Sequence, residues 1–591
     1  MALTKVTYSM IADGFFSVSD YGAVADNTTN DSAAFQAAID AAFAAGGGTV
    51  VLKPGATYRL VTAPVVKTNV KLDLSEATVN LNFASGSDVF GFDLRDYSAI
   101  YNGTINVDED GAPTGADKAF HCAVLVGKSG ASLAGYTGFR VSDLVITSNR
   151  SGLIGGRGIL VQASSNNGII ENIRFPDSAD LGSGVQVSWA GPGGNPPATS
   201  EHPYNIAVRN IRFGTMTKSG TAFDIAGIDI VGAYNITVDN VQADRWAGDS
   251  LVQVRVGGFG DTVAPAAIKP LLFKNIVVRN VAAKLCDQHC MIVNGRANDA
   301  VGAPVYSVPM LIQNFKAVGP NSFSTYGIRL LHVRNVIVDN CEMEKFQYGC
   351  FIEENTRRIT IREGKYFNNT FYGVAVVHGT TPEDIYIDSV ESYLNGSGTA
   401  TGAGFYVEQA LRVQFNNCIA GEDGGDANQI YGFAVASTAA ATKFSGINRV
   451  RSVAAGGTKY FFLAEVYGDR QFGGGSNAAL STSSTEYAPA FGVGLAASNN
   501  TVQIRTSVPL ILFNFQVLLS AAPGASKTRE FQVLDDGTNS ALEVAITGSA
   551  VSSVDYGVVE VAAGSTLSIK SLTTNTPAAT NASWSFEACA A

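Results

Sequence analysis

Five polar residues stand out by type and spacing: Asp229, Asp249, His289, Arg329 and Glu353. Each lies in or at the start of a short apolar segment: AGIDIV (226–231), DSLVQV (249–254), HCMIVN (289–294), YGIRLL (326–331) and YGCFIE (348–353). Two carboxylates across a groove can protonate a leaving oxygen and either activate water or attack carbon, the equipment of glycoside cleavage. A His or Tyr beside a cation can instead abstract a proton next to a sugar carboxylate and drive β-elimination. Tyr326, Tyr348, Tyr372 and Trp246 offer flat rings on which sugar faces stack.

These residues can converge only if the segments that carry them repeat in register, and they do. A strand of the form apolar-x-apolar-x-Asn-apolar recurs as IAVRNI (206–211), ITVDNV (236–241), IVVRNV (276–281), MLIQNF (310–315) and VIVDNC (336–341). It continues as ITIREG (359–364), IYIDSV (385–390) and VQFNNC (413–418), with weaker copies at 139–144 and 168–173. Irregular periods of 23–40 residues fit an all-β parallel β-helix, in which each coil stacks on the last and insertions become loops. Asn at the fixed turn position tolerates left-handed backbone and can form a side-chain ladder.

A second strand in each coil is led by Tyr-Gly or small-Gly. Alternation sends its next residue inward and the following one outward. The outward column then reads Leu160, Gln186, Asp229, Val252, Ile292, Arg329 and Phe351, and the column before the Gly reads Asp249, His289, Tyr326, Tyr348 and Tyr372. Asp229 and Asp249 are placed on adjacent coils, roughly 8–11 Å apart by strand geometry, which suits an inverting separation. Asp249 with Glu353 is the other pairing. An outward Asp is also what any solvated β-helix surface carries, and Arg329 beside Glu353 also reads as a surface ion pair worth under about 1 kcal/mol. Pro-rich insertions at 190–203, 258–270 and 297–309 are expected to wall a groove beside this row.

Around this series, the sequence predicts an N-terminal peptide (1–14) and a cap (15–60), with a helix near 32–44 begun by Asn30 or Asp31 and stopped by Gly46–Gly48. Phe35, Ile39 and Phe43 line one side of that helix. Coils fill 61–458, a connecting stretch 459–499, and short alternating strands at 500–591 predict a β-sandwich for trimerisation or carbohydrate binding. A net charge of -11 argues against nucleic acid, and no apolar run is long enough for a membrane span. Seven cysteines without disulfide spacing read as thiols of a chain made in a reducing cytoplasm, with Cys341 and Cys418 in the core. Cys286-x-x-x-Cys290 beside His289 lacks a second ligand pair, so neither a metal nor a cofactor is expected.

The stretch SDYGAVADNTTNDSAAFQAAIDAA with GGGTVVLKPG, within 17–54, resembles the opening motif of the pectate-lyase-like β-helix superfamily. MALTKVTYSMI (1–11) resembles the short leader of podovirus-like phage tailspikes. The tailspike resemblance implies a right-handed, homotrimeric β-helix on the virion tail. It would attach through its N-terminal peptide, to the tail or to another tail protein, and act as a depolymerase on capsule or O-antigen. AGID, GD, QHC and IRL (226–229, 248–249, 288–290, 328–330) resemble the four polygalacturonase motifs. Asp249, His289 and Arg329 match individually, whereas Ala226, Gly248 and Leu330 depart from the pattern. The resemblance leaves three readings: a hydrolase, a lyase using His289 or a Tyr as base, and a spike that only grips glycan.

Overall fold

A computed structural model describes residues 14–84, 90–110, 122–127, 135–148, 157–177, 183–188, 202–216, 226–255, 274–295, 306–377, 382–396, 402–421 and most of 428–590. The N-terminal peptide (1–13), most of 190–203, all of 258–270 and 297–305 lie outside the described residues. Two compact units divide the chain after Cys350.

The first unit begins with the helix Ser32–Ala44. Asn30 Oδ1 accepts the Ser32 N–H at 3.1 Å, while the Asp31 carboxylate accepts the amides of Val24 and Ala25 at 2.8 and 3.3 Å. Asp31 is the N-cap residue and its carboxylate pins the preceding loop, while Asn30 satisfies the first helical amide from one residue earlier. Gly46, Gly47 and Gly48 hold φ of 92, 131 and 152°, a backbone that other residues resist, and the helix stops there. Phe35 and Ile39 are buried, but Phe43 is 45% exposed, with the Lys67 ammonium 5.1 Å from its ring. Phe43 does not belong to the buried side.

The coils follow as parallel strands. Tyr204–Met216, Tyr234–Trp246 and Lys274–Ala283 pair with Ile206, Ile236 and Ile276 in register. Each bends at its Asn: Asn210, Asn240 and Asn280 have φ of 56, 53 and 56°. One strand therefore supplies two walls, with Ile206, Val208, Ile211 and Phe213 buried. The third wall is built from Ser183–Ser188, Ala226–Val231, Ser250–Arg255, His289–Asn294 and Tyr326–Leu331. The glycine leading several of these faces the core: a Cβ on Gly184 would stand 2.4 Å from the Phe213 ring. In those coils the missing side chain lets the backbone approach the core closely at that corner.

Register on the third wall corrects one alignment. Val185, Ile228, Val252, Met291 and Ile328 form the inward row, and Gln186, Asp229, Gln253, Ile292 and Arg329 the outward one. Val252 is core and Gln253 takes its place outside. DSLVQV lacks the glycine that marks the corner, so Ser250, not Asp249, pairs with Ala226 and His289. Trp246 is also not an exposed ring. It is 1% exposed, pairs with Met216 and meets Phe213 edge-on at 5.2 Å, because it falls on the inward phase of its strand.

In the second unit, Arg357–Arg362, Glu383–Asp388 and Leu411–Asn416 stack in parallel, as do Tyr372–Val376, Ala403–Val407 and Tyr431–Val435. Two antiparallel-rich sheets then enclose a core containing Leu512, Phe515, Phe531, Val544, Ile569 and Trp584. The stretch 459–499 is no mere connector. Val466–Tyr467 pairs with the coil strand Thr442–Ser445, whereas Arg470–Gly475 pairs with Ala582–Ala590 and Glu486–Pro489 with Thr566–Thr574. Its residues finish one architecture and start the next. All seven cysteines are buried and reduced, Cys341 and Cys418 within the core. No helix among the described residues is long and apolar enough to cross a membrane.

Candidate active site

The corner between the second and third walls of the first unit collects Asp249, His289, Tyr326 and Arg329. His289 N–H donates to the Asp249 carbonyl at 3.0 Å, which locks the two coils together there. His289 Nδ1 accepts the Tyr326 amide at 3.1 Å, so a neutral ring carries its proton on Nε2. Nε2 lies 3.7 Å from Asp249 Oδ1, too long for a hydrogen bond. Burial, assisted by the Arg329 cation, pushes the His289 pKa down to about 3. A neutral imidazole whose two nitrogens are so committed donates a hydrogen bond and makes a feeble base.

Aromatic stacking extends from the histidine. The His289 and Tyr326 rings lie 4.8 Å apart, Tyr326 stacks on Tyr348 at 5.6 Å, and the Arg329 guanidinium sits 4.8 Å over Tyr326. Arg329, Tyr326 and Tyr348 are half-buried, and the Asp249 side chain is 28% exposed. One carboxylate, one cation and two ring edges are thus within reach of solvent around a buried neutral histidine.

Asp229 has a different setting. It is fully buried, gripped by Arg255 through Nε at 3.1 Å and Nη2 at 2.8 Å, and by Gln186 Nε2 at 2.6 Å. It lies four positions along the strand from the register mate of Asp249, roughly 14 Å away by strand geometry. The two are not brought together as an acid–base pair. Glu353 and Tyr372 belong to the second unit, where Glu353 is buried and Tyr372 stacks on Tyr406 at 4.4 Å. Cys286 and Cys290 are buried in the core, and the contact with the Cys286 thiol, together with burial, raises the Cys290 pKa.

Three residues escaped the sequence reading. Ser250 Oγ and Gln253 Oε1 are buried polar atoms with no hydrogen-bond partner among the described residues; Ser250 stands level with Ala226 and His289 at this corner, and Gln253 lies in the outward row. Unpaired buried polar atoms are costly and rare, so they mark a place where an external partner can be taken. Asp287 is the third. Its amide donates to Trp246 O at 2.9 Å, which places it on the coil next to Asp249, two residues before His289. Arg245 holds its carboxylate through Nε at 3.1 and 3.2 Å and Nη2 at 2.8 Å. The Asp287–Trp246 and His289–Asp249 backbone bonds set Asp249 and Asp287 on adjacent coils at this corner. The shifted register of DSLVQV hid the first two, and the Arg245–Asp287 pair has no signature at a spacing of 42 residues.

Comparison with known proteins shows partial similarities, strongest in the first part of the chain. Mannuronan C5-epimerase AlgE5 of Azotobacter vinelandii is 58% identical over 45 residues, 8% of this chain and 4% of the epimerase. Plasmin and fibronectin-binding protein A of Streptococcus pneumoniae is 27% identical over 242 residues, 39% of this chain and 31% of that protein. The chain thus spans less than a third of these curated relatives. Among solved structures, the tailspike of E. coli bacteriophage HK620 in complex with a pentasaccharide covers 95% of this chain and 94% of its own. Its TM-score is 0.48 at 12% identity. The AlgE4 A-module of A. vinelandii covers 77% of this chain and 98% of its own, with a TM-score of 0.42 and 17% identity. Residues 15–244 are similar to the family described as rhamnogalacturonase A/epimerase, pectate lyase-like.

Proposed function

We propose that this protein is a phage tailspike depolymerase, a homotrimer on the virion tail that binds and endo-cleaves a bacterial capsule or O-antigen by glycoside hydrolysis. The carrying observation is the corner itself: a solvent-reaching Asp249, a neutral donor on His289, and the unpaired Ser250 and Gln253 atoms beside them. Asp249 acts as the proton donor to the leaving oxygen. Asp287, on the adjacent coil, supplies the second carboxylate, which activates water or attacks carbon. Arg329 and the Tyr326–Tyr348 stack orient the sugar. Asp229, clamped by Arg255 and Gln186, holds the wall rigid rather than moving a proton.

Elimination with His289 as base is the weaker reading, because the Tyr326 amide takes its Nδ1 lone pair; a lyase at this corner would need Tyr326 or Tyr348 as base. The deciding experiment treats a panel of purified capsular and O-antigen polysaccharides with the protein and weighs the products. Hydrolysis adds one water per cut and yields no ultraviolet-absorbing ends. Unsaturated products overturn the hydrolytic assignment, and intact polymer across a panel that the protein demonstrably binds overturns the enzymatic one.

A further inference from the structure

A second concavity lies on the outer side of the second wall, away from the corner. Arg212, Gln242, Ala282 and Lys316 occupy one register column on four successive coils. A single methyl group at Ala282 interrupts this row of long side chains, and a groove of about 450 Å³ opens over it. Asp244 and Lys284 stand two residues further along their strands and close its other side.

The charge around this groove opposes that of the chain. Against a net -11, three cations line it with one carboxylate. Asp244 is shared between Lys284 at 2.5 Å and Arg212 at 3.7 Å, and Lys316 turns outward to Glu342 at 2.9 Å. The cations' side chains are 61–80% exposed, so each can swing to a new anion at little cost. A methyl floor with a cationic rim, at a volume within the usual range of small-ligand sites, matches a flat ring that carries a carboxylate. Three flexible cations on an acidic chain are too few to track a nucleic-acid backbone.

We propose that this groove is a second glycan-binding site, separate from the Asp249 corner, and that it takes a carboxylate-bearing sugar unit of an acidic polysaccharide. Only the choice of a sugar rests on the glycan reading of the corner; the site itself needs no cleavage. The test titrates the full chain with glucuronate, galacturonate and N-acetylneuraminate, and with glucose and inorganic phosphate as controls, by ligand-observed NMR. At least one acidic sugar is expected to bind more tightly than both controls. Ala282→Tyr, which fills the gap without changing charge, should abolish that binding. Asp244→Asn, which releases Lys284 and Arg212, should strengthen it about fivefold, the size of a surface ion pair.

Equal affinity for glucose, equal affinity for phosphate, no binding, or binding indifferent to Ala282→Tyr each overturns the proposal. Polysaccharide cleavage by the same variants is measured in parallel. Loss of the groove with cleavage intact, or the reverse, shows which of the two readings has failed.

Discussion

Two turns of the same coils behave in opposite ways. At the bend between the first and second walls, Asn172, Asn210, Asn240, Asn280, Asn314 and Asn340 all adopt left-handed backbone. Asn210 Nδ2 donates to Asn172 Oδ1 at 2.8 Å, Asn240 to Asn210 at 2.9 Å, Asn314 to Asn280 at 2.9 Å and Asn340 to Asn314 at 2.9 Å. A second ladder runs alongside it through Asn167, Asn205, Asn235 and Asn275. At the corner between the second and third walls, successive coils present Ser250, His289 and Tyr326, and Ser250 Oγ stays unpaired. Repetition with every amide engaged is the mark of a structural turn. Variation with buried atoms left over is the mark of a turn that stability does not dictate, and so one available for recognition.

The sharpest way to break this contrast is Asp249→Asn. Cleavage should fall a hundredfold or more, as about 10²–10⁴-fold is typical for a proton-transfer group. The melting temperature should stay put, because the side chain reaches solvent; a large loss of stability would make Asp249 structural. Asp287→Asn should cost comparable activity together with a small loss from the Arg245 pair.

Asp229→Ala should do the reverse, lowering stability by about 3 kcal/mol in urea unfolding because it strands Arg255 in a buried setting. His289 adds a pH arm. Its folded pKa of about 3 lies below the ordinary ~6.5, so between these values the unfolded chain binds more protons. Stability is therefore complete above about pH 6.5 and drains as pH falls toward 3, by on the order of 3 kcal/mol between pH 7 and 4. His289→Gln should lose less over that interval, as read from urea midpoints at both pH values. The smallest effect is at the ladder: Asn240→Ala should destabilise by about 1–2 kcal/mol from one hydrogen bond and a left-handed φ. Asn240→Gly should recover the backbone part. If Asn240→Ala impaired cleavage more than folding, the contrast between the two turns would collapse.

Much of this fold was legible because β-helix coils repeat their inward residues. The period of IAVRNI, ITVDNV and IVVRNV located the long strands and their Asn bends, and the capping residues Asn30 and Asp31 located the helix start. The second ladder went unread because Asn205, Asn235 and Asn275 precede the apolar pattern instead of sitting inside it. The corner was only partly legible. Asp249, His289, Tyr326 and Arg329 were found by their strand slots, but the missing glycine in DSLVQV displaced that coil by one residue and exchanged Val252 for Gln253. Trp246 was misread because an aromatic at the end of a strand gives no sign of its phase. The pairing of Asp229 with Arg255, and of Asp287 with Arg245, depends on contacts between coils and is invisible in a linear pattern.

The Asn ladders also carry a direction. Most amides in them donate to the Asn of the preceding coil, with Asn280 turning to Asp239 instead, so the column behaves like a row of like-oriented links. Length then becomes an adjustable quantity: removing one whole coil, from one Asn to the next, leaves a donor facing an acceptor across the splice, whereas removing half a coil does not. A chain built this way can gain or lose reach in steps of one coil while each remaining coil keeps its own residues at its own corner.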